Sequence, residues 1–446
     1  MSSGASATSV WSRASTSIGA VGLTAERMMT ASTSREAAFL AVRLIGARTM
    51  SLVSLAVALW AVDVESFAAF GVYQALAMLV WLVTFLRFDA AIVAASTASH
   101  ALAALRLCAL VGFATGTATT LASLLGAWTG FAPFGLALLF PLSVVGRGLL
   151  RLAFAAATRD GDFREIGRAS LVQSVVQPVV LVALVKVIDD GALAFAGADV
   201  IGHMAGVIYL TWRKRAYLRA FESGWSRVAL LATAQKWIGL PLYNLPGSFL
   251  SLAFVTSPLL IAPSVASATF AGHVALAFRI FDVPTQIITA ASTPIFLHLL
   301  RPSADNGAPI FRRATMIALA VLLVGVYGGL AGAIAVADPW LKTTALGGIA
   351  GVVSLVAAFQ LFVALGSPLN DTCALFPEQR RLASLHGLAV LGSFLAYVIA
   401  ILATPRIGLI ALVVLSAARA ITLGELLRNL SWANRRGIVV SSRAVA

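Results

Sequence analysis

The residues with most chemical potential in this chain are arginines set inside apolar runs: Arg43, Arg48, Arg147, Arg151, Arg279 and Arg419. Placing one at the centre of a spanning helix costs about 2.5–3.5 kcal/mol, so each needs a watery cavity, a partner or a route to the surface. Arg147 and Arg151 are four apart and share one helix face. Arg48 lies deeper than Arg43, roughly 15 Å in at 1.5 Å per residue. Guanidinium meets phosphate through forked hydrogen bonds, so several facing one cavity would receive a phosphorylated anion. The alternative is that each arginine snorkels or pairs locally.

The intramembrane acids are fewer: Asp89, Asp199 and Asp282, with Glu425 near a helix end. Asp282 follows Arg279 by three residues, the spacing of a neutralising ion pair. Asp199 precedes His203 by four. Such a pair can relay a proton or simply join two helices. Asp199, His203, Asp282 and Asp89 are therefore the candidates for coupling to H+ or Na+. Gln173 and Gln177 share a face, and Asn244 lies in a proline-rich run with Pro241, Pro246, Pro258 and Pro263. These amides either contact sugar hydroxyls or hold helices together.

The elements that must position these groups are membrane helices. Of the 446 residues, 60% are hydrophobic and 11% charged, and the apolar excess runs along the whole chain. Twelve runs reach the roughly 20 residues needed to span: 38–61, 66–86, 102–128, 132–157, 166–188, 191–212, 237–263, 270–300, 313–337, 345–367, 383–403 and 406–427. They are continuous rather than alternating, which excludes a membrane barrel. The gaps at 62–65, 129–131, 189–190, 264–269, 338–344 and 404–405 are short and poor in Lys and Arg. The others carry Arg159, Arg164 and Arg168; Arg213, Lys214 and Arg215; Arg301, Arg312 and Arg313; and Arg380 and Arg381. By the positive-inside rule the basic gaps and both termini are cytoplasmic.

This predicts an all-α polytopic protein with about twelve transmembrane helices in two six-helix lobes. The expected organisation is a disordered tail over 1–35, helices 1–6 over 36–212 and a cytoplasmic linker over 213–236. Helices 7–12 follow over 237–430, with a second tail over 431–446. FAAFGVYQALA at 67–77 and FAGHVALA at 270–277 echo each other at the second span of each half.

Other classes find little support. The net charge of +14 sits in short loops, where it reads as topology and anionic-lipid contact rather than nucleic-acid binding. Cys108 and Cys373 are isolated, and the five histidines have no ligand spacing, so no metal and no cofactor is expected. No outer gap exceeds about ten residues, which leaves no room for the outer-loop domain of a membrane glycan polymerase or glycosyltransferase. There is no phosphate-cradling glycine loop and no nucleophile elbow. A transporter rather than an enzyme is the expectation.

Residues 65–93, ESFAAFGVYQALAMLVWLVTFLRFDAAIV, resemble the hallmark of bacterial polysaccharide flippases. There an acidic turn and Phe-Gly-x-Tyr open the second helix, and Arg-aromatic-acid-x-Ala-Ile closes it. The matching residues are Phe70, Gly71 and Tyr73, then Arg87, Phe88, Asp89, Ala91 and Ile92. DFREIGRASLVQSVVQ at 162–177 is similar to the family's basic loop and fifth helix, and Pro241, Asn244, Gly272, Arg279 and Pro284 match its seventh and eighth. The resemblance implies the polysaccharide-transporter (Wzx-like) branch of the multidrug/oligosaccharidyl-lipid/polysaccharide (MOP) superfamily, with a MATE-like fold. It implies two lobes around a cationic cavity that move polyprenyl-pyrophosphate-linked repeat units across a bacterial inner membrane, for exopolysaccharide, capsule or O-antigen. The expected partners are that lipid-linked oligosaccharide, membrane lipids and a polymerase or other polysaccharide-assembly proteins, with the transporter itself a monomer. An ion-coupled multidrug exporter of the same superfamily is the alternative; it would favour buried acids over buried arginines.

Overall fold

The computed structural model describes residues 43, 46–47, 49–50, 53, 55–56, 58–59, 62–215, 221–222, 225–306, 313–342, 346–373 and 379–435; within 289–306, 313–315, 371–373, 379–380 and 429–435 it describes the backbone alone. Arg48 lies outside the described residues. The described residues from 43 to 59 are helical. Among the described residues thirteen α-helices follow: α1 Val64–Val83, α2 Asp89–Ala94, α3 Ala98–Trp128, α4 Phe134–Asp160, α5 Phe163–Leu184, α6 Gly191–Arg213, α7 Arg227–Lys236, α8 Leu245–Val265, α9 Ala268–Asn306, α10 Arg313–Ala337, α11 Ala350–Cys373, α12 Gln379–Leu402 and α13 Pro405–Arg435. A single π-helical turn, Leu240–Asn244, leads into α8.

Ten segments among the described residues are long and apolar enough to cross a membrane. The runs at 38–61 and 270–300 complete the expected twelve: the first is helical wherever it is described, and the second lies within α9, a continuous helix of 39 residues. Local chemistry starts the helices where loops are short. Asp63, Thr97 and Asp190 each accept a hydrogen bond from the backbone N–H three residues on, capping α1, α3 and α6. Large apolar side chains point away from the protein: Phe113, Leu121 and Leu125 on α3, and Leu391, Phe394 and Leu395 on α12, are all exposed. In water this would be a liability; in lipid it is the matching surface.

The helices pack in two groups, α2–α6 and α8–α13, and α1, counted with the first, lies between them, against α4 and α6 on one side and more extensively against α8 and α9 on the other. They meet where α1 packs on α8 and α9. At that seam backbones touch. A Cβ built on Gly272 would lie 1.9 Å from the Val64 carbonyl oxygen, and one on Gly71 would lie 2.8 Å from the Ala275 Cβ. Only glycine permits this approach, the usual device for close helix packing in lipid. Ser66 crosses Gly191 at the same end, Glu65 lies 3.5 Å from Thr269, and His273 lies against Gly348. Four gaps poor in basic residues therefore converge on one end of the molecule.

The basic loops converge on the other. Arg43 donates to the Arg164 carbonyl, Arg159 to the Ile92 and Ala95 carbonyls, Arg213 to Glu165, and Lys214 to Asp160 and Asp162. Burial would lower the Lys214 pKa, but the two aspartates outweigh it and raise it above the ordinary lysine value.

Gly272→Val is expected to cost about 1–3 kcal/mol of stability through overpacking against Val64. A thermal unfolding scan of the purified protein in detergent, against the exposed control Gly329→Val, checks it.

Candidate functional site

Between the two groups lies a chamber of about 710 Å³. Its lining runs from Phe70, Arg147, Asp199 and Arg279 deep in the bundle to Arg87, Phe154 and Ile166 near the basic loops. The tight α1–α9 seam closes the opposite end. The chamber is thus open towards the basic side and shut towards the other.

Its deep end is built by three helices of the first group. Ser143 and Arg147 are one turn apart on α4, Asp199 and His203 one turn apart on α6, and Gln173 projects from α5. Arg147 Nη2 donates to both carboxylate oxygens of Asp199, at 2.8 and 2.9 Å. Ser143 donates to Asp199 Oδ2 at 2.9 Å, and Arg147 Nε reaches Ser143 Oγ at 3.3 Å. His203 Nδ1 lies 2.7 Å from the Asp199 backbone carbonyl, and its Nε2 lies 3.1 Å from Gln173 Nε2. Taking Nδ1 as the protonated nitrogen leaves Nε2 to accept from the amide. So the Asp199–Arg147 link is interhelical, while His203 bonds the α6 backbone and α5 and also sets its Nδ1 3.4 Å from Asp199 Oδ1.

Arg279 enters from α9, across the interface. Its guanidinium carbon lies 5.2 Å from the Phe70 ring centroid and 5.1 Å from that of Phe195. Both rings belong to the first helix group and stack on each other, with centroids 4.9 Å apart. Arg279 Nη1 is buried and makes no hydrogen bond. Asp282, one turn further on, accepts a hydrogen bond from Gln286.

Nearer the basic end, Arg151 Nε donates to Asp89 Oδ2 at 2.6 Å, with its guanidinium 5.1 Å from the Trp81 ring centroid. Arg87 donates to Asn244 Oδ1 at 2.9 Å, from the first group to the π turn that starts the second. This contact rests on a break in the backbone. Residues 84–88 are turns, and Leu86 and Arg87 have φ of +48° and +67°. Left-handed backbone is uncommon for such side chains and is held only where the surroundings demand it.

The predicted residues therefore separate. Arg147, Arg151, Arg279, Asp199, His203, Asp282, Gln173 and Gln177 line the chamber together. Asp89 sits behind Arg151, and Asn244 behind Arg87. Arg43 lies at the basic end, its stem crossing Gly167. Arg419 is buried in the second group, donating to Ser251 at 2.6 Å and His386 at 3.3 Å, away from the chamber. Arg147 and Arg151 both line the chamber and pair locally, so the two readings of the sequence are not exclusive. Among the lining residues it missed are Arg87, which stood only within a quoted motif, Gln74 and Gln286, single amides with no spacing to mark them, and Ser170 and Ser174, small hydroxyls common in any membrane helix.

The lining presents four arginines, two aspartates and four glutamines, groups able to hydrogen-bond an anion and hydroxyls. Among the described residues no cluster of His, Cys, Asp or Glu could hold a metal.

No protein-family model matches the chain, and no curated protein matches it by sequence. Solved structures do match by fold. An inward-facing multidrug resistance MATE family transporter of the MOP superfamily superposes with a TM-score of 0.66 at 13% identity, covering 89% of this chain and 99% of its own. An outward-facing MATE family transporter gives 0.56 at 12%, covering 91% and 97%. A MOP superfamily transporter from Pyrococcus furiosus, described as having a binding pocket of reverse polarity, gives 0.56 at 12%, covering 90% and 97%. The chain has the fold of these MATE family transporters. Its better fit to the inward-facing structure agrees with a chamber shut on the side away from the basic loops.

Arg87→Ala and Asn244→Ala should couple by about 0.5–3 kcal/mol in a double-mutant cycle on thermal stability in detergent. Additive effects would remove the contact from the forces joining the two groups.

Proposed function

We propose that this protein is a transporter whose chamber takes up an anionic, lipid-linked saccharide at the basic, cytoplasmic side of a bacterial inner membrane and releases it on the other, for assembly of a surface polysaccharide. The observation that carries this reading is the company Arg279 keeps. A buried guanidinium whose Nη1 makes no hydrogen bond shares with Arg147 a cavity lined also by Gln74, Gln173, Gln177 and Gln286. Guanidinium suits the phosphoryl part of such a substrate, and amides suit the hydroxyls of the sugars. The lipid tail would stay in the bilayer. The flippase-like sequence at 65–93 supports the same substrate class, since it supplies Arg87 to the chamber's lining and Asp89 as the partner that holds Arg151 there.

Transport by this arrangement requires the α1–α9 seam to part and the opposite end to close. Arg279 is placed to link the two, because its ring contacts cross from one helix group to the other. Coupling to H+ or Na+ would fall to Asp199, with Asp282 second, as the carboxylates that line the chamber. Those same acids favour a second reading, export of organic cations, as the multidrug resistance neighbours' descriptions would have it.

Disruption of the gene in its host should leave lipid-linked repeat units on the cytoplasmic leaflet. Wild-type protein should clear them; Arg279→Ala, inserted at equal level, should not, and Arg279→Lys should recover part of the activity. Unchanged lipids together with drug hypersensitivity would establish the exporter instead.

A further inference from the structure

The structure assigns Asp199 a role beyond charge neutralisation: it is a tethered competitor that occupies Arg147 in the empty chamber and restricts entry to anions able to engage Arg147 and Arg279 together, such as pyrophosphoryl groups. This deepens the proposed function and rests on it. Both Asp199 oxygens are bonded to Arg147 Nη2 and Ser143 Oγ meets Nε, so the Nε–Nη2 edge of the guanidinium, one of its two faces for a forked phosphate contact, is already taken. Arg279, by contrast, lies within electrostatic reach of Asp199 and Arg147 and keeps a buried Nη1 unbonded.

Competition follows from tethering. A free monocarboxylate would form the same bonds to Arg147 that Asp199 forms, and would also lose its translational freedom, so it cannot displace the side chain. A pyrophosphoryl group bridging Arg147 and Arg279 gains a second charge-assisted contact that Asp199 does not make. Displacement is feasible because Asp199 does not depend on Arg147 alone. Ser143 donates to it from the same helix as Arg147, and His203 Nδ1 stands 3.4 Å from its Oδ1. The carboxylate retains a hydrogen-bond donor when Arg147 turns to the ligand.

The test is binding of inorganic pyrophosphate to the purified full-length protein in detergent by calorimetry, with acetate as competitor. Asp199→Asn should bind pyrophosphate about tenfold more tightly, the factor for one charge-assisted bond, and acetate should compete in this variant but not in wild type. Ser143→Ala, which removes the donor that holds the carboxylate when Arg147 turns to the ligand and changes no charge, should weaken binding by about threefold while Asp199 is present, and serves if Asp199→Asn does not fold. Adding Arg147→Ala should abolish both effects. Wild type that binds pyrophosphate with an affinity that neither variant changes in the stated direction would overturn the competitor role and leave the anion chamber standing. No pyrophosphate binding by wild type or either variant would remove the chamber's proposed ligand and this inference together.

Discussion

A guanidinium within the thickness of a bilayer has to be compensated, and the arrangement of this molecule follows from how each one is. Arg147 is satisfied by Asp199 and Ser143, Arg151 by Asp89 and the face of Trp81, Arg87 by Asn244, and Arg419 by Ser251, His386 and Phe254. Most of these contacts join different helices, so each compensated charge also fixes the position of one helix against another. The Arg147–Asp199 pair ties α4 to α6; the Arg151–Asp89 pair ties the short α2 beneath α4. Arg279 differs. It is sheltered by two aromatic rings of the opposite helix group, an attraction of about 2 kcal/mol when desolvated, and its Nη1 makes no hydrogen bond.

That difference gives the chamber its character. Two arginines carry carboxylates of their own, so the cavity is less cationic than the bare number of arginines implies. The energetic opening for a ligand lies at Arg279 and at whatever can be exchanged on Arg147. The closed seam above, where Gly272 and Gly71 let α1 and α9 touch, keeps this region reachable from the basic side alone. Parting that seam exposes backbone surfaces that glycine alone allows to meet, so the two ends of the chamber need not be open together.

Much of the architecture was legible in the sequence because a bilayer leaves few options: apolar length marks a helix, and the alternation of basic and non-basic gaps marks its direction. The convergence of 62–66, 191, 269–272 and 348 at one end, and of 159–168 and 213–214 at the other, follows that alternation. Spacing on a single helix was also informative: Arg147 and Arg151 do face the same cavity. Relations between helices were not legible. Asp199 was read against His203 because they share a face, yet its strong partner comes from α4, 52 residues away. Arg419 has the same composition around it as Arg147 but packs inside one helix group. The backbone break at Leu86 and Arg87 was marked only as the end of an apolar run, since neither residue signals a positive φ.

The account's central claim is that this chamber accepts a phosphoryl-linked, hydroxyl-bearing substrate and passes it through the membrane. Purified protein reconstituted into vesicles with a fluorescent polyprenyl-pyrophosphoryl saccharide gives the most direct measure, with a membrane-impermeant quencher reporting which leaflet holds the label. The account predicts that the protein makes the inner-leaflet pool reachable to the quencher, and that a lipid with the same saccharide but no phosphate stays where it was. Equal movement of both lipids, or none beyond protein-free vesicles, would contradict it.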